Sequence, residues 1–254
     1  MNTSRNLTRR AEDRPVIVLE WHRVVFFHFA LEPDVVQAAL PLAFELELFD
    51  AKAVVSLVAL TKRRFRPAAS APWWARLVPL IKEQRLFNVR TYVRHRGEPG
   101  AFFFWSWLSR PWGIALPARP LGLTCDFAES CYEHEHERGD LRGFVKKTEH
   151  ARFAYQARMN PRDTFAPCPP GSLAEFALER YMGFFWHRGA GRVFRTWHQP
   201  WLQTTLNTQI DDNGLVVNAF PWLANARFVE AQYSPGVSDV RLSLPRSVLP
   251  DGVL

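Results

Sequence analysis

Phe87-Asn88-Val89-Arg90-Thr91-Tyr92-Val93, with Arg96-Gly97-Glu98-Pro99-Gly100 and Ala101-Phe102-Phe103-Phe104-Trp105-Ser106-Trp107 after it, decides the fold. The first segment alternates. Phe87, Val89, Thr91 and Val93 share one face; Asn88, Arg90 and Tyr92 share the other. A period of two is that of a β-strand, whose side chains point alternately to opposite faces. The last segment is apolar on both faces, as in a strand covered on both sides. Residues 96–100 have hairpin-loop chemistry. Beside a fully buried partner, Asn88, Arg90 and Tyr92 face either water or an enclosed polar cavity. The cavity is the expectation, and it locates the function.

The rest of the chain fits one β-rich domain. It has 254 residues, enough for a large core, and is 47% hydrophobic with 10 Trp and 20 Phe, which excludes a disordered chain. No apolar run reaches the roughly 18 residues of a membrane helix, and no membrane partner is expected. Residues 1–14 read as a disordered arm without a secretory signal. Cys125, Cys131 and Cys168 form no CxxC pair, so a reducing, cytoplasmic setting is expected. The net charge of +7 raises the question of nucleic acid, but the basic residues are dispersed and no nucleic-acid motif is present.

Strands are expected over 16–29, 44–49, 53–60, 126–136, 141–148, 152–158, 193–197, 202–210 and 215–219. The last two are joined through Asp212-Asn213-Gly214. A short helix opens after Pro33 and ends at Pro41. The Pro- and Trp-rich stretch 66–80 reads as a lid or rim loop around Trp73-Trp74, and 110–120 as a possible site of a short helix. The strongest helix signal starts at Ser172, where Ser172-x-x-Glu175 is a capping box, and runs to about Trp186 with Gly189 beyond it. On that helix Arg180 falls within the apolar arc of Leu173, Phe176, Ala177 and Phe184. A buried guanidinium needs an anionic or hydrogen-bonding partner, either a ligand or a carboxylate such as Glu20 or Glu129. The tail from Pro235 shows no clear element. The division is an arm over 1–14, one domain over 15–234 and a tail over 235–254. The class is α+β, β-dominated, with a curved sheet or barrel and few helices.

Asn88-Val89-Arg90-Thr91-Tyr92-Val93 followed by Gly100-Ala101-Phe102-Phe103-Phe104 resembles the signature of the YqjF-like family, a bacterial domain of unknown function. Trp21 with Val35–Pro41, Leu178-Glu179-Arg180-Tyr181 and His198-Gln199-Pro200-Trp201 are similar to further family segments. The resemblance spans about Trp21 to Trp222. It implies an acetoacetate decarboxylase-like barrel with a central cavity. In that superfamily a lysine forms a Schiff base with the substrate. Of the five lysines here, Lys52, Lys62, Lys82, Lys146 and Lys147, none stands where that nucleophile is expected, and Lys146 or Lys147 is the fallback. The sequence also departs from the family at Leu86, where relatives carry a Glu two positions before the Asn-Val-Arg string.

The reading that follows is a protein that binds a small carboxylate or carbonyl compound, with lyase or decarboxylase chemistry open. Arg90 and Arg180 would hold the carboxylate as guanidinium forks. Asn88 and Tyr92 would orient the carbonyl, Trp201 would line the site, and His198 would carry the proton. No metal or organic cofactor is implied. Glu133-His134-Glu135-His136-Glu137 reads as a solvated strand end, since a third metal ligand at recognisable spacing is missing. The alternatives are an interaction or nucleic-acid-binding protein with a basic, Trp-rich surface, and a structural homo-oligomer built on the 66–80 loop.

Overall fold

The computed structural model describes residues 14–73, 75–76, 83–109, 125–160 and 162–248. The strands are β1 (Pro15–Leu31), β2 (Glu45–Leu46), β3 (Leu48–Phe49), β4 (Lys52–Pro67), β5 (Glu83–His95), β6 (Glu98–Leu108), β7 (Cys125–Phe127), β8 (Glu129–Glu133), β9 (Asp140–Thr148), β10 (Ala151–Arg158), β11 (Ala166–Pro167), β12 (Met182–His187), β13 (Ala190–Trp197), β14 (Leu202–Asp212), β15 (Arg227–Ser243) and β16 (Arg246–Val248). The α-helices are α1 (Pro33–Ala39), α2 (Leu173–Leu178) and α3 (Gly214–Ala219).

The strands pair in the order β16-β13-β12-β6-β5-β4-β1-β15-β14-β10-β9-β8. A further pairing of β13 with β15, through Thr196 opposite Leu242, closes the strands from β13 round to β15 into a ring. The remaining strands, β14, β10, β9 and β8, continue as a second layer. The central strands β1, β4 and β5 are therefore shared. One face, with Val25, Phe27, Leu57, Phe87 and Val89, packs on Phe153 and Tyr155 of the second layer. The other, with Phe26, Val58, Leu60 and Leu86, faces the inside of the ring. Alternation in β5 thus separates two cores rather than core from water, as expected of a strand covered on both faces.

The opening hairpin is tighter than its sequence suggests. Arg96 and Gly97 have φ of 52° and 78°, a two-residue connection with both turn residues left-handed, and Glu98, Pro99 and Gly100 already belong to β6. The helix expected from Ser172 to Trp186 ends after six residues. Its N-cap forms, with the Glu175 amide donating to Ser172 Oγ at 3.1 Å, while Glu175 Oε2 accepts from the Gly171 amide, one residue ahead of the cap, at 2.7 Å. From Met182 the chain is strand, paired with β13 and, at Gly183 and Phe184, with β6. Aromatic residues around Gly183 suit a pleated surface, and tertiary pairing overrides the helical spacing.

Residues 215–219 are helical, not a strand. The Gly214 amide donates to Asp212 Oδ1 at 2.8 Å, so Asp212-Asn213-Gly214 starts α3 instead of reversing a hairpin. The region after Pro235 is not a loose tail. It continues β15, which pairs with β1 from Ala30↔Arg227 to Pro15↔Ser243, and ends in β16. Residues 44–49 form two short edge strands. Residues 1–13, Trp74, 77–82 and 110–124 lie outside the described residues, and with them most of the expected arm, part of the loop and the whole 110–120 stretch. Trp73 is exposed.

Candidate functional site

Inside the ring lies a cavity of about 150 Å³. Its walls come from strands whose alternation points inward: Val58, Leu60 and Lys62 of β4, Leu86, Asn88 and Arg90 of β5, Phe194 and Thr196 of β13. Two irregularities change which residues face it. In β1, Arg23 has φ 50° and the register with β4 shifts between His22 and Val25, so Trp21, Val24 and Phe26 all line the cavity. In β6 the register shifts opposite Val89 and Arg90, so Ala101 and Phe103 line it together with Ser106 and Leu108. A bulge adds one residue and reverses the faces beyond it.

Among the described residues the lining carries Lys62, Arg90 and Arg180 and no acidic side chain. Arg90 Nη2 donates to the Ala177 carbonyl at 3.0 Å, and the guanidinium sits 5.5 Å from the Phe26 ring centre. Arg90 Nε is buried without a hydrogen-bond partner, and the guanidinium has no carboxylate partner among the described residues. Arg180 differs. Its Nη1 meets Glu47 Oε2 at 2.6 Å, and Glu47 also takes Arg94 at 2.9 Å. Burial pushes the Arg180 pKa down, as Arg90 does more weakly, while Glu47 holds it up. Its partner is therefore Glu47, not Glu20, which Arg63 and Arg64 occupy, nor Glu129. Of the two arginines, Arg90 is the one without a carboxylate partner among the described residues.

Asn88 is 3% exposed, lines the cavity, and its Oδ1 has no partner. Tyr92 shares the strand face but does not line the cavity. It is fully buried, its hydroxyl 2.6 Å from Ser56 Oγ, which in turn lies 2.6 Å from His28 Nδ1. Its ring supports the two guanidiniums, at 5.8 Å from Arg90 and 5.2 Å from Arg180. Tyr92, expected to contact ligand, stands behind the described lining in this packing role. Trp201 does line the cavity, stacked on Trp21 at 5.4 Å with the rings 4° from parallel.

His198 is not in the cavity. It lies against Trp21 and Trp201, stacks on Tyr181 at 4.6 Å, and opens instead to a separate recess with Asp239 and Arg241. Its Nδ1–H donates to the Gln199 carbonyl at 2.7 Å, and burial lowers its pKa. Trp21 and Trp201, which line the cavity, stand between its ring and the cavity space. His134 and His136 also part from the expectation of a solvated strand end. His134 is 3% exposed and bonds the Arg23 carbonyl at 2.8 Å and the Tyr155 hydroxyl, while His136 Nδ1 faces the Tyr233 hydroxyl at 3.0 Å. His134 is a core polar group, and His136 is half-buried at the rim.

The residue that the sequence reading missed is Lys62. It lines the cavity, and burial pushes its pKa down to about 8. It makes no hydrogen bond or ion pair with a described residue. The signal was available: Val58, Leu60 and Lys62 keep one parity along β4 (Lys52–Pro67), which runs past Leu60. The run Lys62-Arg63-Arg64 reads as a surface cluster only if the strand is stopped early. Lys146 and Lys147, the fallback nucleophiles, pair on the surface with Glu149 and Asp126.

Solved structures share this architecture. The enduracididine biosynthesis enzyme MppR in complex with pyruvate superposes with a TM-score of 0.63 at 16% identity, over 97% of each chain. The acetoacetate decarboxylase of Legionella pneumophila gives 0.59 at 14% identity, over 97% of this chain and 93% of that one. These likenesses establish an acetoacetate decarboxylase-like fold. Among curated proteins, the uncharacterized protein YqjF of Bacillus subtilis (strain 168) is 25% identical over 207 residues, 78% of this chain and 81% of its own. Residues 18–238 match the family model described as uncharacterized conserved protein, DUF2071, and the chain belongs to that family.

Proposed function

We propose that the protein binds a small carboxylate carrying a carbonyl group inside the ring, and that Lys62 attacks that carbonyl. The carrying observation is that one cavity holds two cationic side chains, Arg90 and Lys62, and that neither has an anionic partner among the described residues. Charged groups in an apolar enclosure are retained at a cost unless paired. A ligand carboxylate on Arg90 and Asn88 would supply the missing pair.

Depression to about 8 leaves about a tenth of Lys62 uncharged at pH 7, enough for a nucleophile. The amine adds to the carbonyl carbon, its proton passing to the oxygen. Loss of water, with one proton taken up from solvent, then leaves a protonated imine, which draws electrons from a bond on the neighbouring carbon. This makes the finer reading a lyase-type enzyme. Complexes of MppR with pyruvate and with a condensation product of pyruvate are in keeping with it. All three cysteines are free, in keeping with a cytoplasmic setting.

The test is a thermal-shift panel of keto acids, aldehyde acids and aromatic acids, with Arg90→Gln and Arg90→Lys alongside. Stabilisation grows as the ligand exceeds its dissociation constant. A shift in wild type that vanishes in Arg90→Gln and partly returns in Arg90→Lys is expected. A panel without any shift, or shifts unchanged in Arg90→Gln, would overturn the reading.

A further inference from the structure

Lys62 and Arg90 stand at opposite ends of the cavity. Lys62 lies across the β4–β5 ladder from Gln84, and Arg90 is six residues further along β5, opposite Ser56. Six strand residues at about 3.3 Å each separate the two backbone positions by roughly 20 Å. Two long side chains leaning toward one another shorten that gap without closing it. The electrostatics agree: the Arg90 charge depresses His28, Arg180 and His198, whereas Lys62 answers to burial and Cys125. The wall between the two cations is apolar at Val58, Leu60, Leu86, Phe26 and Phe103, with Asn88 and Ser106 as its polar groups toward the Arg90 end. A dry apolar cavity of about this volume holds a benzene molecule.

We propose that the ligand is polar at both ends, with a carboxylate on Arg90, an apolar middle of about benzene size, and a carbonyl at Lys62. This rests on the cavity reading above and names its substrate class. A 2-oxo acid such as pyruvate carries its carbonyl and carboxylate on adjacent carbons and reaches only one cation at a time. In the bipolar ligand the carboxylate is an anchor. The imine at Lys62 weakens bonds on the carbons beside the former carbonyl, so the anchored carboxylate is not released as carbon dioxide.

Trapping with borohydride tests this on the full chain. Hydride adds to the imine carbon and, with a proton, gives a stable secondary amine that a peptide mass map locates. Three probes separate the poles: 4-formylbenzoate, which has both groups, benzaldehyde, which lacks the carboxylate, and pyruvate, whose groups are adjacent. Labelling at Lys62 is measured relative to the other four lysines. The expected result is labelling of Lys62 by 4-formylbenzoate about tenfold or more above either other probe, as for the loss of one charge-assisted contact. Arg90→Gln should lower it to the benzaldehyde level, and Arg90→Lys should restore part of it. Melting temperatures of the variants confirm that they fold.

Equal labelling by pyruvate or by benzaldehyde would overturn the bipolar ligand while leaving the cavity reading in place. A thermal shift with 4-formylbenzoate but no Lys62 adduct would overturn the Lys62 pole. If no probe gives either a shift or an adduct, the cavity reading itself falls.

Discussion

Among the described residues Arg90 and Lys62 have no anionic partner, and each makes a residue-level claim. Removing the half-buried ammonium, which has no partner among the described residues, while keeping a straight chain of the length of its alkyl part should stabilise the fold. Lys62→Met is expected to gain about 1–3 kcal/mol at pH 7, read as a higher denaturant midpoint at unchanged slope. A loss of stability would mean that Lys62 has a partner in the folded state. The pH dependence has a definite sign. The Lys62 pKa is about 8 folded and about 10.4 unfolded, so between those values the unfolded chain binds the extra proton, and stability rises with pH. Lys62→Met should flatten that rise, and an unchanged slope would count against a depressed lysine. Asn88 and Arg90 were legible because alternation and polarity coincide in β5. Tyr92 was legible as inward but not as hidden, because its partner Ser56 is far away in sequence. Lys62 was hidden by its basic neighbours.

At the scale of the element, the bulges decide what lines the cavity, and no short-range pattern announces them. The β1 irregularity that brings Trp21 inward rests against Gly236 of β15, where φ is 115° and an added Cβ would meet the Trp21 carbonyl at 2.1 Å. Backbone cannot give way as a flexible side chain would. Gly236→Ala is therefore expected to cost about 2–4 kcal/mol and to weaken ligand stabilisation. Gly97→Ala, at φ 78° with open space around the Cβ, should cost about 1 kcal/mol. Chemical denaturation of both variants checks the contrast, and equal losses would remove the special status of the bulge. The same limit explains the overlong α2. Its N-cap is a local signal and was read correctly. Its end is set by the pairing of Met182–His187 with a strand that follows it and with β6, which lies far upstream.

For the whole molecule, the sequence carried the β-dominated class and the cavity, since a strand polar on one face beside a fully apolar one already implies two covered layers. It did not carry the closure of the ring, which depends on β13 meeting β15. Histidines are buried on the shared wall, His28 in β1, and beside the second layer, His134 just after β8. His28 is pushed down to about 3 and His134 to about 4, in both cases chiefly by burial. Their unfolded values are near 6.5, so below that pH the unfolded chain takes up protons that the folded chain refuses. Stability should fall as pH drops from about 6.5 toward 4, before most carboxylates titrate. His28→Asn, which keeps hydrogen-bonding capacity without the titration, should lessen the fall. Urea denaturation at pH 7 and at pH 4.5 measures it, and parallel losses in wild type and variant would rule out His28 as a source.

The central claim is that the ring encloses a carboxylate site built on Arg90. A crystal of the protein soaked with 4-formylbenzoate tests it most directly. The expected result is density inside the ring, with the carboxylate in hydrogen-bonding contact with the Arg90 guanidinium and the aldehyde carbon toward Lys62. An empty cavity with the ligand elsewhere on the protein, or Arg90 paired with a protein carboxylate, would contradict it.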